Sequence, residues 1–128
     1  MKKFKFIFVI LFLTSVGPGS FSAKYKTLFA KERKMGANFS KYFRLVQISC
    51  GSGCSQIAIL DMKSNKAFDP HITITDTEKK AAAGERVEFN EKSKNLTLRG
   101  CLNEKPDECG IHKYFWDGEK LQKTESEI

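Results

Sequence analysis

"KYFRLVQISCGSGCSQIAILDM", residues 41–62, decides the fold. "KYFRLVQIS" is rich in aromatic and β-branched residues with partial alternation, which reads as a strand. "SQIAILDM" reads as a second. Between them stand Cys50, Gly51, Ser52, Gly53 and Cys54, a break too short for anything but a turn. Two apolar strands joined by a cysteine-flanked turn predict a hairpin, and a chain that continues in the same manner predicts a sheet.

It does continue so. "KSNK" (63–66) is a polar turn, and "AFDP" (67–70) a short return strand ending at Pro70. "HITIT" (71–75) alternates as a strand, and a loop or single helical turn is expected to follow up to Glu85. "RVEFN", the turn "EKSK" and "NLTLRG" make a hairpin, with Val87 and Phe89 on one face and Leu96 and Leu98 on another. "GIHKYFW", Asp117-Gly118 and "EKLQKTE" make one more, because an Asp-Gly turn supplies two positive-φ positions. Tyr114, Phe115 and Trp116 mark that strand as the expected core element. Before the opening hairpin, Lys24–Met35 is a candidate helix broken by Gly36-Ala37-Asn38. The expected fold class is mainly β: a small single-domain antiparallel sheet of about six or seven strands with hairpins and two disulfides.

The chain opens "MKKFKFIFVILFLTSVGPGSFSA". Lys2, Lys3 and Lys5 precede an apolar run from Phe6 to Val16, and Gly17-Pro18-Gly19 and small residues follow. That is the layout of a secretory signal peptide over residues 1–22, with Ser20 and Ser22 at the small-residue positions of a cut after Ser22. A helix of about 11 residues spans only about 16 Å, against a hydrocarbon core of roughly 30 Å, so the run does not read as an anchor. Residues 23–128 then form a single disulfide-stapled β domain, exported to the periplasm or secreted.

In an oxidising compartment four cysteines read first as two disulfides. A thioredoxin-type site needs two intervening residues and a helix N-terminus; three residues separate Cys50 from Cys54, and a strand follows. Zinc spacing fails at Cys101 and Cys109, which stand too far apart. Three pairings are open. Local closure, Cys50–Cys54 and Cys101–Cys109, is worth roughly 2 and 2.6 kcal/mol in loop entropy, and each long-range bridge about 4. Yet each local pair flanks one turn between adjacent strands, and Gly51 and Gly53 supply the flexibility a small ring needs. The local pairing is favoured. The cysteines are staples.

The formal charge is +7. Without the three leader lysines, 19 basic residues face 15 acidic ones, for +4. Residues 24–44 carry seven basic side chains against Glu32, so a basic leading segment precedes a body of charge −2. Lys24, Lys26, Lys31, Arg33 and Lys34 offer weak contact with an anionic surface, against the plainer reading of a solvated face. No nucleic-acid motif, metal ligand set or cofactor motif is present, and none of these partners is expected.

His71 and His112 are the only histidines, with Asp61, Asp69 and Asp76 near the first in sequence but without acid/base or ligand spacing. Asn38-Phe39-Ser40 and Asn95-Leu96-Thr97 match the glycosylation sequon, which matters only in a eukaryotic host.

"GANFSKYFRLVQISCGSGCSQIAILDMKSNKAF", "SKNLTLRG" and "CGIHKYFWDGEKL" together resemble a group of uncharacterised small exported proteins of Gram-negative bacteria. That group carries an Asn-Phe-x-x-x-Tyr start, whose Tyr stands one residue earlier here, a Cys-Gly-(Thr/Ser)-x-Cys loop, an Ile-x-Asp step and a Trp-Asp-Gly turn. Asn38, Phe39, Tyr42, Cys50, Gly51, Ser52, Cys54, Asp61, Trp116, Asp117 and Gly118 match it. Ser55 stands where the group has Gln, and Ser64-Asn65 where it has Thr-Gly. The resemblance spans residues 36–121 and implies fold and location but no mechanism.

Three function classes follow. The first is a non-catalytic binding or accessory module, inhibitor- or immunity-like, engaging an envelope component or secreted protein through a rigid loop such as Gly51-Ser52-Gly53. The second is a hydrolytic or redox enzyme with a site around the histidines. The third is a peripheral envelope protein held by its basic segment.

Overall fold

A computed structural model describes residues 20–76 and 85–128. Most of the expected leader, and the loop or helical turn expected after Thr75, lie outside the described residues.

Two short helices lead: α1 (Ser20–Lys24) and α2 (Lys26–Arg33). Phe21, Tyr25 and Phe29 recur every four residues and so share one helical face, their ring centroids 5.5–5.7 Å apart. Helix α2 ends as expected before Gly36, whose φ of 87° no β-carbon-bearing residue adopts without strain.

Eight strands follow among the described residues: β1 (Phe43–Ser49), β2 (Cys54–Asp61), β3 (Ala67–Phe68), β4 (Thr73–Thr75), β5 (Val87–Glu88), β6 (Asn95–Leu102), β7 (Cys109–Trp116) and β8 (Leu121–Glu127). The sheet runs β1-β2-β4-β6-β7-β8, and every pairing is antiparallel. The two-residue strands sit off this path: β3 pairs β2, and β5 pairs β6. Strands β3 and β4 lie along the same edge of β2, interrupted at Pro70, which has no N–H for the ladder, and at His71, with φ 58°.

Strand β2 explains its own sequence. Ile57 and Ile59 point into the main core with Leu45, Ile74, Leu96, Leu98, Tyr114 and Trp116. Ala58 and Leu60 point the other way, into a second cluster with Val46 and Ile48, where Phe29 covers them. A strand buried on both faces reads as an unbroken apolar run rather than an alternation. Two arginines fasten the helix to this face. Arg33 donates to the carbonyls of Asp61 (2.9 Å) and Lys66 (3.2 Å), and Arg44 pairs with Glu32 (2.7 Å) and donates to the Gly36 carbonyl (3.0 Å).

The β6–β7 hairpin alternates as expected: Leu96 and Leu98 are buried opposite Tyr114 and His112, with Leu102 and Trp116 buried at the two ends. Trp116 lies edge-on to Phe43 and Phe68, each centroid 5.3 Å away. Phe115 is corrected: it takes the odd position of β7 and stays 38% exposed. The Asp117-Gly118 turn is corrected as well. Trp116 pairs with Leu121, so the loop has four residues, and of its first two only Gly118 has positive φ. Asp117 shapes it through its side chain, its Oδ1 accepting the Glu119 and Lys120 N–H groups at 2.8 and 2.9 Å.

Candidate functional site

The register gives the sheet two poles. Cys54 opposes Thr75, Thr75 opposes Cys101, and Cys101 opposes Cys109, which puts both disulfides at one end. The pairing is the local one, Cys50–Cys54 and Cys101–Cys109, and no cysteine is free. Disulfides of this kind form and persist in oxidising compartments. No described helix is long and apolar enough to cross a membrane.

At this pole the Cys50–Cys54 ring is fixed from within and without. The Cys54 N–H donates to the Gly51 carbonyl (3.0 Å), and the Asp76 N–H donates to the Gly53 carbonyl (2.9 Å). Asp76 in turn meets Arg86 in a two-point pair at 2.8 and 3.2 Å, and Arg86 also donates to Ser55 Oγ at 2.7 Å. Gly51 and Ser52 are exposed at the tip, and Gly53 is half-buried. The ring is a rigid knob whose exposed part offers one hydroxyl and backbone.

The histidines do not meet in a site. His112 is fully buried in β7. Its Nε2 lies 2.9 Å from the Glu108 carbonyl, which can only accept, so Nε2 carries the proton; Nδ1 accepts from Ser126 Oγ at 3.1 Å. His71 is exposed in the loop between β3 and β4, 3.5 Å from Asp69. The carboxylates have structural tasks. Asp61 caps the turn after β2 by accepting the Lys63 and Ser64 N–H groups. Burial raises its pKa, those bonds outweigh it, and the net direction is downward. Asp69 accepts the His71 N–H at 2.9 Å. Among the described residues no three His, Cys, Asp or Glu side chains gather as a metal site.

Arg33 leaves the proposed surface patch, because both its outer nitrogens are spent on carbonyls, while Lys24, Lys26, Lys31 and Lys34 remain exposed. Asn38 is equally occupied: its amide accepts from the Leu45 N–H (2.7 Å) and donates to the Leu45 carbonyl (3.2 Å). Asn95 is exposed at the start of β6.

The opposite pole holds what the sequence reading missed. A cleft of about 310 Å³ is lined by Ser40, Lys41, Tyr42, Phe43, Lys92, Lys94, Asp117 and Gly118. Three separate turns build it. Ser40 and Lys41 both sit at positive φ, 49° and 69°, in the tight reversal where Phe39 pairs Phe43. Their N–H groups donate to the Ser93 and Glu91 carbonyls at 3.1 and 2.7 Å, which ties that reversal to the β5–β6 turn. The Trp116 N–H reaches the Lys94 carbonyl (2.8 Å) and brings in the β7–β8 turn. Two consecutive non-glycine residues in the left-handed region cost about 1–3 kcal/mol each and persist only where the surroundings fix them. Lys41, Lys92 and Lys94 are exposed, as is Tyr42 at 52%, and the Lys63 ammonium lies 3.9 Å from the Tyr42 ring centre. Among the described residues Asp117 is the one acid in the lining, and its pKa is lowered by the N–H groups of Lys120 and Glu119 and the amide of Gln122.

A smaller hollow of about 150 Å³ lies beside it, lined by Phe68, Asp69, Pro70, Trp116, Glu119, Lys120 and Leu121. Trp116 Nε1 is buried without an acceptor among the described residues.

Comparison with known proteins finds no matching family model, no matching curated protein and no matching solved structure.

Proposed function

We propose that the chain is an exported, non-catalytic binding module of the cell envelope, periplasmic or secreted, of the inhibitor- or immunity-like kind. One observation carries this reading: the four sulfurs and the buried histidine are spent inside the fold, while three exposed lysines and an exposed tyrosine from separate turns line one cleft. The four sulfurs are paired and both ring nitrogens of His112 are bonded. Lys41, Lys92, Lys94 and Tyr42 line the cleft, and among the described residues no histidine or cysteine lines it with them. Turns cross-tied by backbone bonds lose little entropy on binding, which suits a module of this size. The leader layout of residues 1–22 and the two disulfides support export.

The test is saturable capture of an envelope component by the oxidised protein, compared across variants. Capture is expected to survive His71→Ala and to fall when Lys41, Lys92 and Lys94 are replaced by Gln. Turnover of a substrate, abolished by His71→Ala or by blocking a free thiol in the native protein, would overturn it.

A further inference from the structure

The geometry points to the lysine cleft as a binding site for a phosphate monoester carried on a ring-shaped body, of which a sugar phosphate is the simplest example. This rests on the binding-module reading and gives its cleft a ligand class. The lining residues include three lysines and one aspartate, a net of +2, with Lys63 a further cation on the Tyr42 ring. That surplus matches a phosphate dianion. The Asp117 carboxylate competes little, because Oδ1 accepts two N–H groups and Oδ2 accepts the Gln122 amide at 2.6 Å.

The choice of cation narrows the anion. A planar carboxylate is best met by the fork of an arginine, whereas lysines act as point charges that surround a tetrahedral group from several sides. No arginine lines this cleft. The volume, about 310 Å³, admits more than phosphate alone and lies at the small end of ligand pockets. Tyr42 and Phe43 supply the apolar wall against which a ring can lie, and the Ser40–Ser93 and Lys41–Glu91 backbone bonds hold that wall before any ligand arrives. Two sources share this chemistry, a free sugar phosphate and a phosphorylated lipid headgroup.

The experiment is an NMR titration of the full mature protein with glucose 6-phosphate, glucose, inorganic phosphate, a Glu-rich peptide, and vesicles of phosphatidic acid in phosphatidylcholine. Glucose 6-phosphate is expected to shift the amides of residues 40–43, 92–94 and 117–118 saturably, inorganic phosphate more weakly, and glucose not at all. Each of Lys41→Gln, Lys92→Gln and Lys94→Gln is expected to weaken binding about threefold, the scale of an exposed ion pair, while Lys24→Gln and Lys31→Gln leave it unchanged. Stronger binding to the vesicles than to glucose 6-phosphate assigns the lipid source, and the reverse assigns the free one. Equal shifts from glucose and glucose 6-phosphate, full binding by the triple variant, or tighter binding of the Glu-rich peptide would overturn the proposal. If the parent protein captures its envelope component but does not bind glucose 6-phosphate, the module reading survives and this site does not. If phosphate binds but nothing is captured, the site stands and the module reading falls.

Discussion

Gly100→Ala tests the packing of this sheet more severely than any truncation of its core. Gly100 lies in β6 opposite Gly110, at φ 140°. A Cβ added there would fall well inside contact with the Thr75 carbonyl oxygen, 3.0 Å from the Thr75 carbonyl carbon and 3.3 Å from Ile74 Cγ1. The obstacle is mainly backbone, so no side-chain rotation relieves it. Strand β4 has to move, and it meets β6 through only two residue pairs, Ile74 with Leu102 and Thr75 with Cys101. Two costs add: about 1–3 kcal/mol for a β-carbon at that φ and about 1–3 kcal/mol for overpacking, or roughly 2–6 kcal/mol together. Set against a total stability of about 5–15 kcal/mol, this is a large loss, worth at least about 8 °C in Tm. Gly36→Ala separates the two costs. It has φ 87° with nothing within 4 Å of the added carbon, so only the backbone cost of about 1–2 kcal/mol applies. Urea unfolding followed by the fluorescence of Trp116, the single tryptophan, measures both. A Gly100→Ala midpoint equal to that of Gly36→Ala would refute the close approach of β4 to β6.

Replacing Cys101 and Cys109 by Ala is expected to lower stability by roughly 2.6 kcal/mol, and replacing Cys50 and Cys54 by roughly 2, read as separate urea midpoints; the reverse order would refute the loop-entropy account. His112→Ala removes a buried ring and its hydrogen bonds to Glu108 and Ser126, leaving the Glu108 carbonyl only the Leu102 N–H, for about 2–4 kcal/mol, whereas His71→Ala stays within about 0.5 kcal/mol. Asp117 has a pKa below the usual carboxylate value because N–H groups bind its ionised form, so its contribution is present above the unfolded-state pKa of about 3.9 and lost as pH falls through the lower folded value. Asp117→Asn is therefore expected to be less stable than the parent at pH 7 and equal to it at strongly acid pH, checked by urea midpoints across that range.

What could be read in advance was local. Alternation in "NLTLRG" and "GIHKYFW" betrays a strand because each side chain reports its own face, and the hairpin follows from the turn between them. Phe115 shows where aromatic content misleads and parity does not: Tyr114 and Trp116, two residues apart, share the buried face of a strict alternation, and Phe115 between them takes the other. The β-bulge between Lys113 and Tyr114 shifts the register with β8 without changing that parity, and Phe115 faces out. The helix was legible in residues 24–35, but its seat was not, since "IAIL" shows two buried faces without saying what covers the second. The cleft was hidden for another reason. "EKSK" and "DG" each look like an ordinary polar turn, "KY" reads as the start of a strand, and only the strand order puts all three at one end. Counting which turns share a pole of an antiparallel sheet is the signal that could have found it.

The two poles are held by different means, and that difference separates two accounts of binding. Both disulfides lie on the row from Cys54 to Cys109, whereas the cleft is held by the Trp116–Phe43–Phe68 contacts and by backbone bonds among three turns. Opening the Cys50–Cys54 ring removes roughly 2 kcal/mol from the fold and frees the Gly51–Gly53 tip, but reaches no residue that lines the cleft. A module that grips its partner through the ring must lose affinity in the Cys50→Ala/Cys54→Ala variant, because a loosened tip has to be ordered again on binding. One that grips through the lysines keeps its affinity within about twofold, since an intact sheet lies between the two ends. Measured on the folded variant, capture that fails while the glucose 6-phosphate titration is unchanged would place the partner on the sulfur-bearing knob and leave the cleft to a separate small ligand.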